Sequence, residues 1–131
     1  MSATDENLKD AFSGESQANR KYMAFAHNAM NEGHPEVAQL FMEAAGAETI
    51  HAINHFRVMG GIKGTEENLR EAAYGESYEI DEMYPSFITQ AEHEGRTDAA
   101  DSFRLAWERE KHHRDMFQQA LAEYMSRQKA A

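Results

Sequence analysis

The chain has 131 residues, a formal net charge of −10 and no cysteine. That length fits one domain around one core, and the acidity disfavours nucleic acid and anionic membrane surfaces, which need clustered Lys and Arg. The absent cysteine excludes disulfides, thiolate zinc sites and iron–sulfur clusters; no apolar run approaches the ~20 residues of a membrane span; the early acids Asp5, Glu6 and Asp10 do not read as a signal peptide, so a cytoplasmic location is expected.

Alanine and glutamate dominate, and Pro35 and Pro85 are the only prolines, which is a helical composition. Four helices are predicted, at about 5–31, 35–59, 66–94 and 97–127. Glu32-Gly33-His34-Pro35 reads as a glycine stop followed by a proline that opens the next helix. Gly60-Gly61-Ile62-Lys63-Gly64 separates the second helix from the third, with Thr65 as a cap, and Gly95 precedes Thr97 as a cap for the fourth. Short turns make the first two and the last two helices antiparallel hairpins.

The hairpins are copies, over about 4–60 and 65–127 of a single 1–131 domain. Thr4, Leu8, Ala11, Gly14, Glu15 and Ser16 recur 61 residues later as Thr65, Leu69, Ala72, Gly75, Glu76 and Ser77. Tyr22, Phe25, Phe41, Ala44, Glu48 and His51 recur 62 residues later as Tyr84, Phe87, Phe103, Ala106, Glu110 and His113. The third helix therefore holds one residue more than the first between Ser77 and Tyr84. A single inserted residue is usually absorbed as a π-bulge, so a distortion is predicted near Glu79, whose counterpart in the first helix is Ala18.

Each helix carries an apolar stripe at three-to-four spacing, and acids interrupt it. Leu8, Ala11, Phe12, Tyr22, Ala26 and Ala29 enclose Glu15; Val37, Leu40, Phe41, Ala44 and Val58 enclose Glu48 and His51. Leu69, Ala72, Ala73, Met83 and Phe87 enclose Glu76 and Glu79; Phe103, Ala106, Phe117 and Leu121 enclose Glu110 and His113. An unpaired buried carboxylate costs several kcal/mol. No Lys or Arg shares these positions, whereas two divalent cations would set four positive charges against the five carboxylates. Glu48-Thr-Ile-His51 and Glu110-Lys-His-His113 place both donors on one helix face. Two Glu-x-x-His helices plus one glutamate from each of two others, here Glu15 and Glu76, is the dinuclear carboxylate pattern of ferritin-like four-helix bundles. One such motif alone is weak, since acidic helices produce it by chance. Four in order at repeat-related positions are specific.

These residues resemble the rubrerythrin family. The likeness rests on Gly14-Glu15-Ser16-Gln17-Ala18, both Glu-x-x-His motifs, and Gly75-Glu76-Ser77-Tyr78-Glu79 followed by Asp81-Glu82-Met83-Tyr84-Pro85, and it runs from about residue 5 to 125. Classical members continue into a Cys₄ rubredoxin domain, so the expectation is a member without one. The resemblance implies a pair of iron ions, with manganese or zinc as substitutes, that reduces hydrogen peroxide to water. It implies Glu48 and Glu110 as bridges, Glu15 on one iron, Glu76 and His113 on the other, and Glu79 and His51 exchanging on the first iron with oxidation state. Tyr22 and Tyr84 match tyrosines whose hydroxyls bond to ligand carboxylates. Electrons would come from an external donor such as a rubredoxin or a flavoprotein reductase. A ferroxidase or iron-handling protein, and a metal-binding bundle without turnover, are the rival readings.

His55, four residues after His51 on a similar face, has two readings, a hydrogen-bonded core histidine, which is preferred, and a spare or outer ligand; His112 reads as a surface residue, and His27, His34 and His93 as exposed. In the ferritin-like arrangement that the resemblance implies, the second and third helices run parallel. Their facing ends then lie roughly 30 Å apart at 1.5 Å per residue. Gly60 to Thr65 spans at most roughly 20 Å. A homodimer with exchanged hairpins is therefore expected, each centre taking Glu15, Glu48 and His51 from one chain and Glu76, Glu79, Glu110 and His113 from the other.

Overall fold

The computed structural model describes residues 1–131, and every regular element is helical. The elements are α1 (Ala3–Asn31), α2 (Pro35–Val58), α3 (Thr65–Tyr78), a π-turn (Glu79–Met83), α4 (Tyr84–His93) and α5 (Thr97–Ala130). No helix is long and apolar enough to cross a membrane. The chain divides into two compact units, Met1–Ile62 and Lys63–Ala131, and the division falls in the glycine-rich connection.

In the first unit α1 packs on α2. In the second, α3 and α4 pack on α5. Both hairpin turns use a glycine with positive φ, Gly33 at 84° and Gly95 at 73°, a conformation other residues adopt at a cost. Pro35 opens α2, where its missing N–H is no loss. The start of α1 was not anticipated. Ser2 accepts from the Asp5 backbone N–H while the Asp5 side chain accepts from the Ser2 N–H, a reciprocal cap. Thr65 and Thr97 do not cap; each is the first residue of its helix, after Gly64 and Arg96, and neither start has a side-chain cap bond.

The π-turn lies where the repeat offset changes. Tyr84 N–H reaches back five residues to the Glu79 carbonyl, so the extra residue is held as one wide turn between α3 and α4.

Burial departs from the expected stripes. The buried apolar residues are Ala26, Ala29, Ala38, Ala45 and Ala52 in the first unit, and Ala73, Ile80, Ile88, Ala91 and Ala100 in the second. The paired helices meet through small side chains, which permit close approach. Large stripe residues stay open: Leu40 is 65% exposed and Val58 71%, and Phe87 is exposed as well, as is Phe25 beside the first stripe. Fully burying one Leu or Phe contributes roughly 1.5–3 kcal/mol, which these residues do not yet gain. One aromatic cluster is repeated in both units. Tyr22 and Phe25 pack on Phe41, and Tyr84 and Phe87 pack on Phe103, with the two phenylalanine pairs both 5.4 Å apart.

Candidate metal centre

Each hairpin brings three of its acidic and imidazole side chains together. In the first unit, Glu15 from α1 meets Glu48 and His51 from α2, with donor atoms within 4.8 Å of one another. His51 Nδ1 lies 3.5 Å from Glu15 Oε1 and 3.6 Å from Glu48 Oε1. In the second unit, Glu76 from α3 meets Glu110 and His113 from α5 within the same limit, and His113 Nδ1 lies 3.5 Å from Glu110 Oε1. The two clusters are repeat images: one glutamate from the leading helix and a Glu-x-x-His face from the trailing one. In both, the carboxylates are half-buried and the histidine is exposed, so each cluster opens on its imidazole side.

One atom in each cluster lacks a partner. Glu15 Oε2 and Glu76 Oε2 are buried and accept no hydrogen bond. A buried acceptor left unmatched costs about 1–3 kcal/mol, more when charged. The same oxygen is orphaned at both repeat-related positions, which is what a bound cation would relieve. Oxygen-rich donor sets with one imidazole suit iron and manganese, and also zinc. The residues present thus fit a pair of metal ions.

Glu79 and Tyr84 extend the second cluster. The Glu79 carboxyl lies within hydrogen-bonding reach of Glu110, and this contact, with burial and the Glu110 charge, pushes its pKa up to about 7. Tyr84 is also raised, by burial first and then by the charges of Glu79, Glu110 and Glu76. Nothing in the first unit corresponds to Glu79, because Ala18 stands at its place. Tyr22 packs among Phe25 and Phe41, and neither tyrosine hydroxyl is hydrogen-bonded to a carboxylate.

His55 lies against the first cluster. Its Nε2 lies 2.5 Å from Glu15 Oε2, the oxygen that accepts no hydrogen bond. The available signal was the break in the repeat: the counterpart of His55 is Phe117. His27, His34, His93 and His112 are exposed, as expected.

Comparison with known proteins agrees with this arrangement. The rubrerythrin family model matches residues 6–121. Rubrerythrin-2 of Clostridium acetobutylicum is 34% identical, over 89% of this chain and 71% of its own length. Rubrerythrin of Porphyromonas gingivalis is 38% identical, over 92% of this chain and 67% of its own. The chain belongs to the rubrerythrin family. Nigerythrin of Nitratidesulfovibrio vulgaris is 37% identical over 81% of this chain and 59% of its own length. A structure of nigerythrin in its fully reduced, all-ferrous state aligns over 95% of this chain and 68% of that one, at 33% identity and a TM-score of 0.48. Rubrerythrins are ferritin-like di-iron proteins, and the two clusters contain the carboxylate and imidazole donors that such a pair requires.

Proposed function

We propose that this rubrerythrin is a non-haem di-iron peroxidase, reducing hydrogen peroxide to two waters with electrons from an external donor such as a rubredoxin or a flavoprotein reductase. The observation that carries the reading is the asymmetry of two otherwise repeated clusters. Both offer Glu, Glu and His around an orphaned carboxylate oxygen, and only the second adds Glu79. We infer that Glu79 is what separates peroxide chemistry from plain ferroxidase chemistry.

In this reading Glu48 and Glu110 would be the donors common to both ions, Glu15 would help to hold one of them, Glu76 and His113 the other, and Glu79 and His51 would be alternative donors to the first. A bound iron pair would supply the two-electron redox chemistry that cleaving the O–O bond requires. The chain's own residues handle the two protons consumed. The Glu79 carboxyl, held protonated near neutrality against Glu110, keeps one proton beside the donor atoms. Tyr84 keeps its phenolic proton because burial and three nearby carboxylates oppose ionisation, so its Oη remains a donor. The exposed His51 imidazole has room to turn.

We also infer that two copies complete the centre by exchanging hairpins, so that the open cluster of one chain's Met1–Ile62 unit meets the open cluster of the other chain's Lys63–Ala131 unit. The exposed Leu40, Val58, Phe25 and Phe87 support this, since each needs a covering surface. The connection supports it too: only six residues, 59–64, separate α2 from α3.

Anaerobic loading with ferrous iron followed by peroxide titration tests the activity. The expected result is two ferrous ions oxidised per peroxide, faster than by dioxygen. Faster oxidation by dioxygen would instead indicate a ferroxidase. Full loading with no turnover under any donor would indicate a binding bundle.

A further inference from the structure

The two hairpins use the same pair of positions for a helix-to-helix hydrogen bond, but with the direction reversed. In the first unit, Asn19 Nδ2 on α1 donates to the Ala45 carbonyl on α2 at 2.7 Å. Their repeat counterparts are Ile80, 61 residues after Asn19, and Trp107, 62 residues after Ala45. In the second unit the donor is on the other helix: Trp107 Nε1 on α5 donates to the Ile80 carbonyl at 2.9 Å. Trp107 is the only tryptophan in the chain.

The Ile80 carbonyl needs an outside donor for a local reason. In an α-helix it would accept from Tyr84 N–H, but the π-turn commits that N–H to Glu79. In π register it would accept from residue 85, and Pro85 has no N–H. Ile80 is 5% exposed, so water is a poor substitute. A buried carbonyl without a partner is costly. The indole N–H fills this vacancy, and it does so from α5, where the acid that meets Glu79 also sits. Trp107 and Glu110 are three residues apart and share a helix face. The residues they hold, Ile80 and Glu79, are neighbours in the π-turn.

Two further contacts brace the arrangement. Lys111 Nζ sits 3.6 Å from the centroid of the Trp107 ring. Arg114 Nη1 reaches Asp81 Oδ1 at 3.4 Å, tying the next residue of the turn to α5 as well. The inserted residue and the tryptophan are each without an equivalent in the first hairpin, and they meet in one hydrogen bond.

We propose that Trp107 is a positioning residue: its indole N–H holds the π-turn in register and thereby sets the Glu79 carboxylate against Glu110. The functional consequence rests on the peroxidase reading, in which Glu79 belongs to the centre. The structural consequence does not, so the decisive experiment uses the metal-free full-length protein.

Trp107→Phe keeps most of the ring and removes the donor. Hydrogen exchange should then quicken at the Tyr84 amide and its neighbours in 79–84 by roughly 3–10-fold, the worth of one hydrogen bond, with Met1–Ile62 amides unchanged. Pro85→Ala supplies the missing backbone N–H, so in the Pro85→Ala background the same Trp107→Phe change should have little effect on exchange. After iron loading, Trp107→Phe should lower kcat for peroxide more than it raises KM, and the double variant should recover. Unchanged exchange in the turn, a uniform rise across Lys63–Ala131, or no rescue by Pro85→Ala would overturn the proposal. If Trp107→Phe does not fold, folding of the double variant supports the proposal and failure of both overturns it. Altered exchange in a protein whose wild type shows no peroxide turnover would retain the positioning role and reject the peroxidase reading.

Discussion

Glu79 lies within hydrogen-bonding reach of Glu110, and the first hairpin has no such pair because Ala18 takes the place of Glu79. The asymmetry gives the second hairpin an acid that a purely metal-holding cluster does not need. Glu79→Ala should therefore retain most bound iron but lose peroxide turnover by about 10–100-fold, the usual effect of disturbing one group around a metal centre. Rapid mixing of the diferrous variant with peroxide, beside metal analysis, checks this. Undiminished turnover would remove Glu79 from the mechanism.

The same pair makes the metal-free protein sensitive to pH. Glu79 is raised from 4.5 to about 7 by its bond to Glu110, by burial and by the Glu110 charge. The folded chain thus keeps a proton that the unfolded chain gives up. The pair's contribution is complete below the unfolded pKa and is lost as pH rises through about 7. Titration belongs to the pair rather than to either acid alone. Urea unfolding in the presence of a chelator should show a midpoint that falls between about pH 5 and pH 7. Glu79→Gln, which cannot ionise, should flatten that slope; an unchanged slope would assign it to other groups.

Loading should depend most on the glutamates proposed as bridges. Glu48 and Glu110 have side chains 21% and 17% exposed, against 29% for Glu15. Glu48→Ala and Glu110→Ala should each lose more iron than Glu15→Ala, since each removes a donor to both ions. Full loading in both variants, measured after anaerobic reconstitution and desalting, would refute the ligand assignment.

His55 lies against the orphaned oxygen of Glu15, where the second hairpin has Phe117. Replacing it by the residue of its repeat counterpart, His55→Phe, should weaken one of the two ions by roughly 10–100-fold and leave the other unaffected. Chelator-competition kinetics resolve the two. Equal loss of both would mean that the substitution acts through folding.

Much of this centre was legible in the sequence because charge on an apolar stripe is a conflict that few structures resolve. Glu15, Glu48, Glu76 and Glu110 interrupt their stripes at repeat-related positions, and the structure groups Glu15 and Glu48 with His51, and Glu76 and Glu110 with His113, each within its own unit. The π-turn was legible as well, since a repeat offset that changes within a helix requires one residue to be absorbed. The Trp107 bond was not, because it depends on a backbone carbonyl that only the π-turn and Pro85 leave free. The His55 contact was legible only as one of two readings, because helical spacing says which residues share a face and not what stands opposite. The stripes themselves misled about burial. Periodicity identified the apolar face, but in the chain alone the helices meet through alanines, and Leu40 and Val58 remain open.

Those open faces lead to the last prediction, that the centre is shared between two chains. Glu48→Ala chains and Glu110→Ala chains should each be inactive alone. If hairpins are exchanged, a mixed dimer has one centre carrying both lesions and one carrying none. Co-refolding equal amounts should then restore about a quarter of the wild-type activity, because half the dimers are mixed and each has one intact centre of two. Without exchange every centre carries a lesion, and mixing restores nothing. The connection between the units supplies a second handle. Lengthening 59–64 by roughly 20 residues would let one chain close its own centre, since each added residue spans up to about 3.5 Å. That variant should shift toward monomer in sedimentation while keeping its iron, and it should no longer complement in the mixing experiment. A wild-type protein that sediments as a monomer with full iron content would overturn the shared centre.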